Sequence, residues 1–503
     1  MNEKVILIYP QTGFELRHVN IFLPMGLMCI AAPLVKRGVE VTILDQRIEK
    51  NFFKNLKKHL DESPVCVGIS TMTGTQILYA LEIARFIRNN SKVPIVWGGV
   101  HPTLTAEQTI YNDNVDVVVR GEGEITFDEL VNTLYRGKSL SGIKGITWKQ
   151  GKTVQHNPDR EYCDLNTLPR VPYHLVDVEQ YIVPQVPGRK RCLNIYSSRG
   201  CPNLCTFCYN TKFNRSRYRL KNIDAVIDEI KWLVKQYNLD SFCMNDDNFS
   251  IDPERTHYFC RRLIEEKIVP EWGCKGMEIW RLEKIDLELM QKSGCKRVYM
   301  GIESGSEKVL KSIKRRDTVQ GIKNMVNKFA NSNIIAHYNF VIGFPDEGVN
   351  ELNETIEMAD YIRKTDPKAY FSSFHICTPF PGTELFNNAV ENYGFIPPDK
   401  LEGWYDFRLE AINVPWINKK MKNTYLNLCL ITYFIDDKFA DRTKDKPVLK
   451  IFKKIMMWFS HYRWKTRKFK FCPEYRLLDW LMNYKIRKKT KGIRKLAATM
   501  QSN

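Results

Sequence analysis

Cys201, Cys205 and Cys208 are the residues most able to do chemistry, in the run Ser198-Arg-Gly-Cys-Pro-Asn-Leu-Cys-Thr-Phe-Cys-Tyr-Asn210. Three thiols spaced C-x3-C-x2-C can ligate three irons of a cubane cluster and leave the fourth iron with no protein ligand. Four cysteine ligands would saturate an electron-transfer cluster. An open iron can bind a substrate or cosubstrate, as open positions do in other catalytic metal sites. Gly200 and Pro202 let the backbone wrap tightly about such a cluster. The competing readings are a chance group of buried thiols or a zinc knuckle, but zinc sites draw on paired Cys or Cys/His ligands. The spacing points to an enzyme.

The elements around this loop follow a strand, loop, long-helix period from about Arg191. Strand candidates run over 193–197, 241–244, 271–274, 297–302, 336–342 and 370–376. Six such units fit a partial (β/α)6 barrel, with its chemistry at the C-terminal strand ends. The cysteine loop follows the first strand and Asn245-Asp-Asp-Asn248 the second. Glu303-Ser-Gly-Ser306 ends the fourth, Gly343-Phe-Pro-Asp-Glu347 the fifth, and Thr378-Pro-Phe-Pro-Gly-Thr383 follows the sixth.

Residues 1–140 have a shorter period. Apolar runs at 5–9, 39–44, 65–70, 94–97 and 115–119 alternate with amphipathic stretches such as 76–89 and 125–135. That alternation implies a doubly wound, flavodoxin-like parallel sheet, whose ligands bind beyond the carboxyl ends of the strands. Pro24-Met-Gly26, Asp45, Ser70-Thr-Met-Thr-Gly74, Gly98-Gly-Val-His-Pro102 and Gly121-Glu-Gly-Glu124 fall at those ends. Residues 141–190 read as a linker with a small hairpin pattern and a proline-rich connection. The expected domains are therefore 1–140, the 141–190 linker, the 191–400 barrel and a basic helical region over 401–503.

The cysteine spacing resembles the radical S-adenosylmethionine (SAM) superfamily. Residues 1–140 are similar to the cobalamin-binding domain found in one subgroup, the class B radical SAM methyltransferases and anaerobic magnesium-protoporphyrin ester cyclases. The matching residues are Pro24/Gly26, Gly68-Ile-Ser-x-Met72, Trp97-Gly-Gly-Val-His-Pro102 and Val118-Val-Arg-Gly-Glu-Gly-Glu124. The resemblance implies three cofactors: a [4Fe-4S] cluster on the cysteine triad, SAM on its open iron, and cobalamin near Ser70, Met72, Gly98 and Gly99. It also places Val341, Gly343 and Asp346 on the strand that contacts the adenine of SAM, and Phe207 at the family's position before the third cysteine. SAM carries an ammonium and a ribose diol that need partners. Asp246 and Asp247 are candidates for the first, Glu303 and Ser304 for the second. The competing readings are helix capping for the aspartates and a structural ion pair for Glu303. Many cobalamin proteins carry D-x-H-x-x-G after the first strand. The loop here, Pro10-Gln-Thr-Gly-Phe-Glu-Leu-Arg-His18, has no such motif, so no histidine ligand to cobalt is expected and His18 reads as an ordinary loop residue. The implied reaction is radical methylation of an unactivated carbon, with cyclisation or oxidation, and then tRNA modification, as alternatives.

Composition limits the setting. Fourteen scattered cysteines, with no apolar export segment at the start, read as a reduced cytosolic protein. Cys243, Cys274, Cys295 and Cys377 lie near strand ends or adjoining turns but read as small buried apolar residues. Charge is uneven: residues 417–503 hold 23 Lys/Arg against 6 Asp/Glu, so +17 of the net +19 lies there. Within it, Val448-Leu-Lys-Ile-Phe-Lys-Lys-Ile-Met-Met-Trp-Phe459 has helical apolar spacing beside Lys450, Lys453 and Lys454. Such a segment fits peripheral contact with an inner membrane surface, a helical cap on the barrel, or nucleic acid, although no separate RNA-binding module is evident. Expected partners are a small-molecule or lipid substrate and an electron donor such as flavodoxin or ferredoxin.

Overall fold

The computed structural model describes residues 3–13, 15, 20–407, 414–435 and 447–476. Two parallel sheets dominate it. The first has the order β2-β1-β3-β4-β5-β6-β7, with β1 Lys4–Tyr9, β2 Glu40–Asp45, β3 Cys66–Ser70, β4 Ile95–Gly98, β5 Val117–Val119, β6 Ile146–Gln150 and β7 Thr153–His156. β1 to β5 pair in parallel, and the helices Met25–Lys36, Phe52–Leu60, Thr75–Asn90 and Glu124–Tyr135 connect or follow them. Helices on both faces bury the strands, which explains why they read as apolar runs rather than as alternating patterns. The hairpin β6–β7 pairs antiparallel onto β5 and extends the sheet. The linker hairpin is thus part of the first layer.

The second sheet is wholly parallel. Its strands are β8 Cys192–Ile195, β11 Ser241–Met244, β12 Glu271–Met277, β13 Cys295–Glu303, β14 Ile335–Ile342, β15 Tyr370–Phe371 and β16 His375–Ile376. The order β15-β14-β13-β12-β11-β8, with β16 also on β14, makes an open half-barrel. A two-stranded ribbon, β9 Ser198–Arg199 with β10 Arg219–Leu220, brackets the cysteine loop. The sixth expected strand is split, because the chain leaves the sheet over 372–374 and returns against the far end of β14. The Phe374 N–H there donates to the Thr432 hydroxyl (2.9 Å) instead of to a strand partner.

The two layers are stitched together from both sides. Arg199 pairs with Glu122 (2.9 Å) and Glu124 (2.6 Å), and Arg219 pairs with Glu122 (2.7 Å). On the opposite flank Tyr181 donates to Asp45 (2.9 Å), which Arg47 also holds (2.6 Å). The turn Leu401–Asp406 lays Trp404 against His101, with ring centroids 5.5 Å apart.

The described part of the basic region folds onto the barrel. Helices Lys419–Phe434 and Pro447–Thr466 pack together, and Met456, Trp464, Phe469, Cys472 and Tyr475 join the barrel core. The other face of the second helix leaves Ile451, Ile455, Trp458 and Tyr462 exposed, at helical spacing beside Lys454. The cap and the open amphipathic face are two sides of one helix. His18, the side chain of Lys450 and residues 477–503 lie outside the described residues. Among the described residues no helix is long and apolar enough to cross a membrane.

Trp464 is 6% exposed and donates to Asp360 (2.6 Å), whereas Trp458 is 64% exposed. Trp464→Ala should therefore cost about 3–5 kcal/mol, the usual loss for a buried tryptophan. Trp458→Ala should cost about 0.5 kcal/mol or less, as at exposed positions. Urea unfolding of the two variants checks the difference. Equal losses would mean that the packed face has been misassigned.

Candidate active site

The cysteine loop is built by its neighbours before any cofactor is considered. Gly200 has φ +85°, and a Cβ there would run into the Arg217 carbonyl, so only glycine lets the chain turn into Cys201. Asp246, buried after β11, accepts from the Ser197 N–H (2.7 Å), the Ser197 hydroxyl (2.5 Å) and the Ser198 hydroxyl (2.6 Å). Arg255 supports the same turn through the Ser197 carbonyl (2.9 Å). Asp247 accepts from the Gly200 N–H (2.7 Å) but is otherwise exposed. The adjacent aspartates therefore differ. Asp246 has both oxygens committed to the scaffold, and Asp247 faces open space.

The three thiols share one loop. Burial raises all three pKa values, pushing Cys208 up to about 12, with Cys205 and Cys201 adding to that shift. Asn248 donates to the Cys201 sulfur (3.6 Å) and Arg315 to the Cys205 sulfur (3.9 Å). Arg315 is deeply buried, bonds to the Gly301 carbonyl (2.8 Å) and Asp317, and lies 4.0 Å from Glu278. Its Nε has no hydrogen-bond partner. Among the described residues no three His, Cys, Asp or Glu side chains close on one point as a mononuclear ion requires.

Glu303 ends β13 in the left-handed region, φ +65°, next to a bulge in its pairing with β14. Such strain in a non-glycine residue clusters at functional sites. Burial raises the Glu303 pKa, while Arg315 pulls it down. Ser304 is buried and bonds to the Thr355 hydroxyl (3.0 Å), so its contacts are internal. Phe207 packs on Phe344 (centroids 5.7 Å) beside Val341. Gly343 accepts from Trp416 Nε1 (3.0 Å) through its carbonyl, and exposed Asp346 accepts from the Tyr393 hydroxyl (2.9 Å).

A cavity of about 380 Å³ opens between the layers, within the usual range for ligand sites of roughly 300–1,000 Å³. Ser70, Gly98 and Gly99 line it from the first sheet, with Gly26 and Glu122. Ser198, Arg199 and Tyr209 line it from either side of the cysteine loop, with Asn245 and Asp247. A Cβ at Gly26 would meet nothing within 4 Å, and one at Gly98 nothing closer than 3.8 Å. Both sites leave open room for a bulky ligand. Gly99 is different: at φ +99° its Cβ would lie 2.7 Å from the Thr71 carbonyl. Met72 is 49% exposed and is not among the lining residues. His101 is fully buried between the Thr73 (2.9 Å) and Thr105 (3.0 Å) hydroxyls, and burial lowers its pKa to about 3. It is a neutral structural residue.

Sequence reasoning missed Arg199, Arg315 and Glu278. In Gly121-Glu-Gly-Glu124 it weighed the glycines, whereas Glu122 and Glu124 make the contacts. Burial pushes the Glu122 pKa up, yet the bonds and charges of Arg219 and Arg199 outweigh it and hold the group below its ordinary value.

Comparison with known proteins matches this geometry. The radical SAM superfamily matches residues 195–359, and the B12 binding domain matches residues 18–131. An uncharacterized methyltransferase of Pyrococcus horikoshii is 32% identical over 395 residues, 77% of this chain and 83% of that protein. The chain belongs to the cobalamin-binding radical SAM enzymes. It is thus an enzyme of the methyltransferase-containing group, with a [4Fe-4S] cluster, SAM and cobalamin as cofactors. The anaerobic magnesium-protoporphyrin IX monomethyl ester cyclase of Rubrivivax gelatinosus is 29% identical, over 63% of this chain and 58% of that one. The fold is shared with the cobalamin-dependent radical enzyme OxsB, solved with aqua-cobalamin (TM-score 0.71, 17% identity, 92% of this chain and 72% of that chain). The residues present fit these groups: three thiols with N–H donors for a cluster, and open glycine-lined space for a corrin.

Replacing Cys201, Cys205 or Cys208 with Ala should strip most of the iron, since three ligands hold the cubane. The same change at buried Cys192 or Cys260 should leave iron content unchanged. Gly98→Leu should lower cobalamin retention through desalting severalfold at constant iron. Iron and cobalt assays on the purified variants check both. Full iron in a triad variant would overturn the assignment.

Proposed function

We propose that this enzyme methylates an unactivated carbon of a small-molecule or lipid substrate with an apolar body. The observation that carries the reading is the single cavity lined both by strand ends of the first sheet and by residues flanking the cysteine loop. When bound, the cluster and SAM supply a carbon-centred radical and cobalamin supplies the methyl group. The protein's own residues bind and orient. Cys201, Cys205 and Cys208 hold the cluster, with Asn248 and Arg315 donating to its sulfur ligands, contacts of the kind that tune such centres.

Arg315, with a buried unpartnered N–H, is suited to the carboxylate of SAM. Asp247 and Glu278 are suited to its ammonium and Glu303 to its ribose. Phe207, Val341 and Gly343 flank the adenine position. Ser70, Gly98 and Gly99 border the cobalamin tail. Asp246 and Ser304 act through the backbone they hold. An electron donor such as flavodoxin or ferredoxin completes the cycle. Likeness to the ester cyclase supports oxidative cyclisation as a second reading.

Metabolite and lipid mass spectra from cells with and without the protein test the chemistry. A product heavier by one methylene is expected. Loss of hydrogens would replace methylation with cyclisation, and altered nucleosides would move the substrate to tRNA.

We further propose that the exposed Ile451, Ile455, Trp458 and Tyr462 face, with Lys454 and Lys465, rests on an anionic membrane surface. Each basic residue near such a leaflet contributes about 1 kcal/mol. The protein should co-sediment with anionic vesicles more than with neutral ones, and less at higher salt. Lys454→Gln with Lys465→Gln should weaken binding severalfold. Trp458→Ala should weaken it with less salt dependence. Binding indifferent to lipid charge and to all these changes would contradict the membrane contact.

A further inference from the structure

The strands of the half-barrel carry a second cluster of functional groups, below the cysteine loop and unused by the cofactors. On β13, Val298, Met300 and Ile302 are buried under the helices, while Tyr299, Gly301 and Glu303 keep partial exposure. Neighbours alternate between faces of a strand, so these three residues share the inner face of the half-barrel. On β12 Lys275 shares that face. On β14 His337 stacks on Tyr299 (centroids 4.5 Å, planes 26° apart) and lies parallel to Tyr370 (6.2 Å, 12°). The result is a ladder of three rings, with a cation near each end. Arg297 lies over Tyr370 (4.5 Å) and Lys275 near Tyr299 (5.8 Å) and Phe22 (4.7 Å).

Among the described residues no carboxylate lies within ion-pair distance of Lys275 or Arg297. Among the described residues Lys275 donates to the Gln185 side-chain oxygen (3.2 Å). Arg297 donates to the Gln185 carbonyl (3.2 Å) and the Tyr299 hydroxyl (3.3 Å). Arg297 is 4% exposed, and its Nε has no hydrogen-bond partner at all. Arginine is almost never buried this fully without a counter-charge. Elsewhere in this chain buried guanidinium groups do have one: Arg47 has Asp45, and Arg315 has Asp317. Two cations without a counter-charge, beside a ladder of rings, are suited to an oxyanion.

We propose that the substrate bears a carboxylate or phosphoryl group which docks on Lys275 and Arg297. Its reacting carbon is then directed up the lumen toward the cysteine loop. The inference rests on the half-barrel being the substrate site and names the charge of that substrate. Tyr299 lies four residues before Glu303 on one strand, a rise of about 13 Å at the usual 3.3 Å per residue. The anionic group is therefore remote from the carbon that reacts. It serves as an anchor and takes no part in the chemistry. The ring ladder gives the intervening apolar part of the substrate its wall.

Calorimetric titration of iron- and cobalamin-loaded protein tests this with three probes of equal length: 6-phenylhexanoate, 6-phenylhexyl phosphate and 6-phenylhexanol. Both anions, or one of them, should bind at least ten-fold more tightly than the alcohol, and the better anion identifies the group. Lys275→Gln, at a partly buried position, should lower anion affinity about ten-fold and leave alcohol affinity within two-fold. Arg297→Gln should do the same, and if it fails to fold Lys275→Gln decides alone. Lys138→Gln, at an exposed loop position of the first domain, should change neither. Equal binding of alcohol and anions, absence of anion binding, or anion affinity unchanged in Lys275→Gln would overturn the proposal. SAM cleavage and cobalamin uptake are scored separately on the same samples. Protein that retains both yet shows no anion preference refutes only the anchor, and protein with the preference but neither cofactor refutes only the proposed methylation.

Discussion

Arg199 stands two residues before the first cysteine of the triad, and its guanidinium reaches across to Glu122 and Glu124 of the other layer. Much else depends on that pairing. A cluster held by one sheet and a corrin held by another can act on one carbon only if their loops are kept in register. Charge-assisted bonds between largely buried groups have the directionality to do this. Losing one partner of such a pair strands a charge, at a cost of about 3–5 kcal/mol. The clamp is therefore both a joint and a constraint. Arg219 doubles it from the second strand of the ribbon that brackets the cysteine loop.

With the joint set, the division of labour follows from strand polarity. Both sheets present their carboxyl ends to the shared space, where loops can carry function without disturbing packed cores. Residues deeper in each sheet are apolar and closed: Cys243, Cys274, Cys295 and Cys377 are all buried, their thiol pKa values raised by burial, and act as core. The half-barrel is the exception. Below the loops its inner face carries Lys275, Arg297 and the rings of Tyr299, His337 and Tyr370 instead of aliphatic filling.

Much of this was legible in the sequence, for identifiable reasons. Short apolar runs alternating with amphipathic stretches are the pattern of buried parallel strands between helices, and three cysteines within eight residues are too local to be rearranged by tertiary context. The roles of single polar residues were harder. Asp246 and Asp247 are neighbours with the same chemistry, and only the path of the chain after β11 turns one inward and leaves the other exposed. Arg315 and Glu278 lie far from the cysteines in sequence and meet them only through the curvature of the sheet. The glutamates of Gly121-Glu-Gly-Glu124 were hidden behind glycines that would explain a turn by themselves. In the basic region one helical pattern encodes two faces, and periodicity alone cannot say which face the barrel takes.

In the proposed arrangement, cluster and cobalamin share one space held by the Arg199–Glu122/Glu124 clamp. Electron paramagnetic resonance of protein loaded with both cofactors and reduced to the paramagnetic states addresses it most directly. The cobalt(II) signal should be broadened by spin coupling when the cluster is reduced. Arg199→Gln should diminish that coupling while iron and cobalt contents hold. Two independent, unbroadened signals in the wild-type protein would contradict the shared-space arrangement.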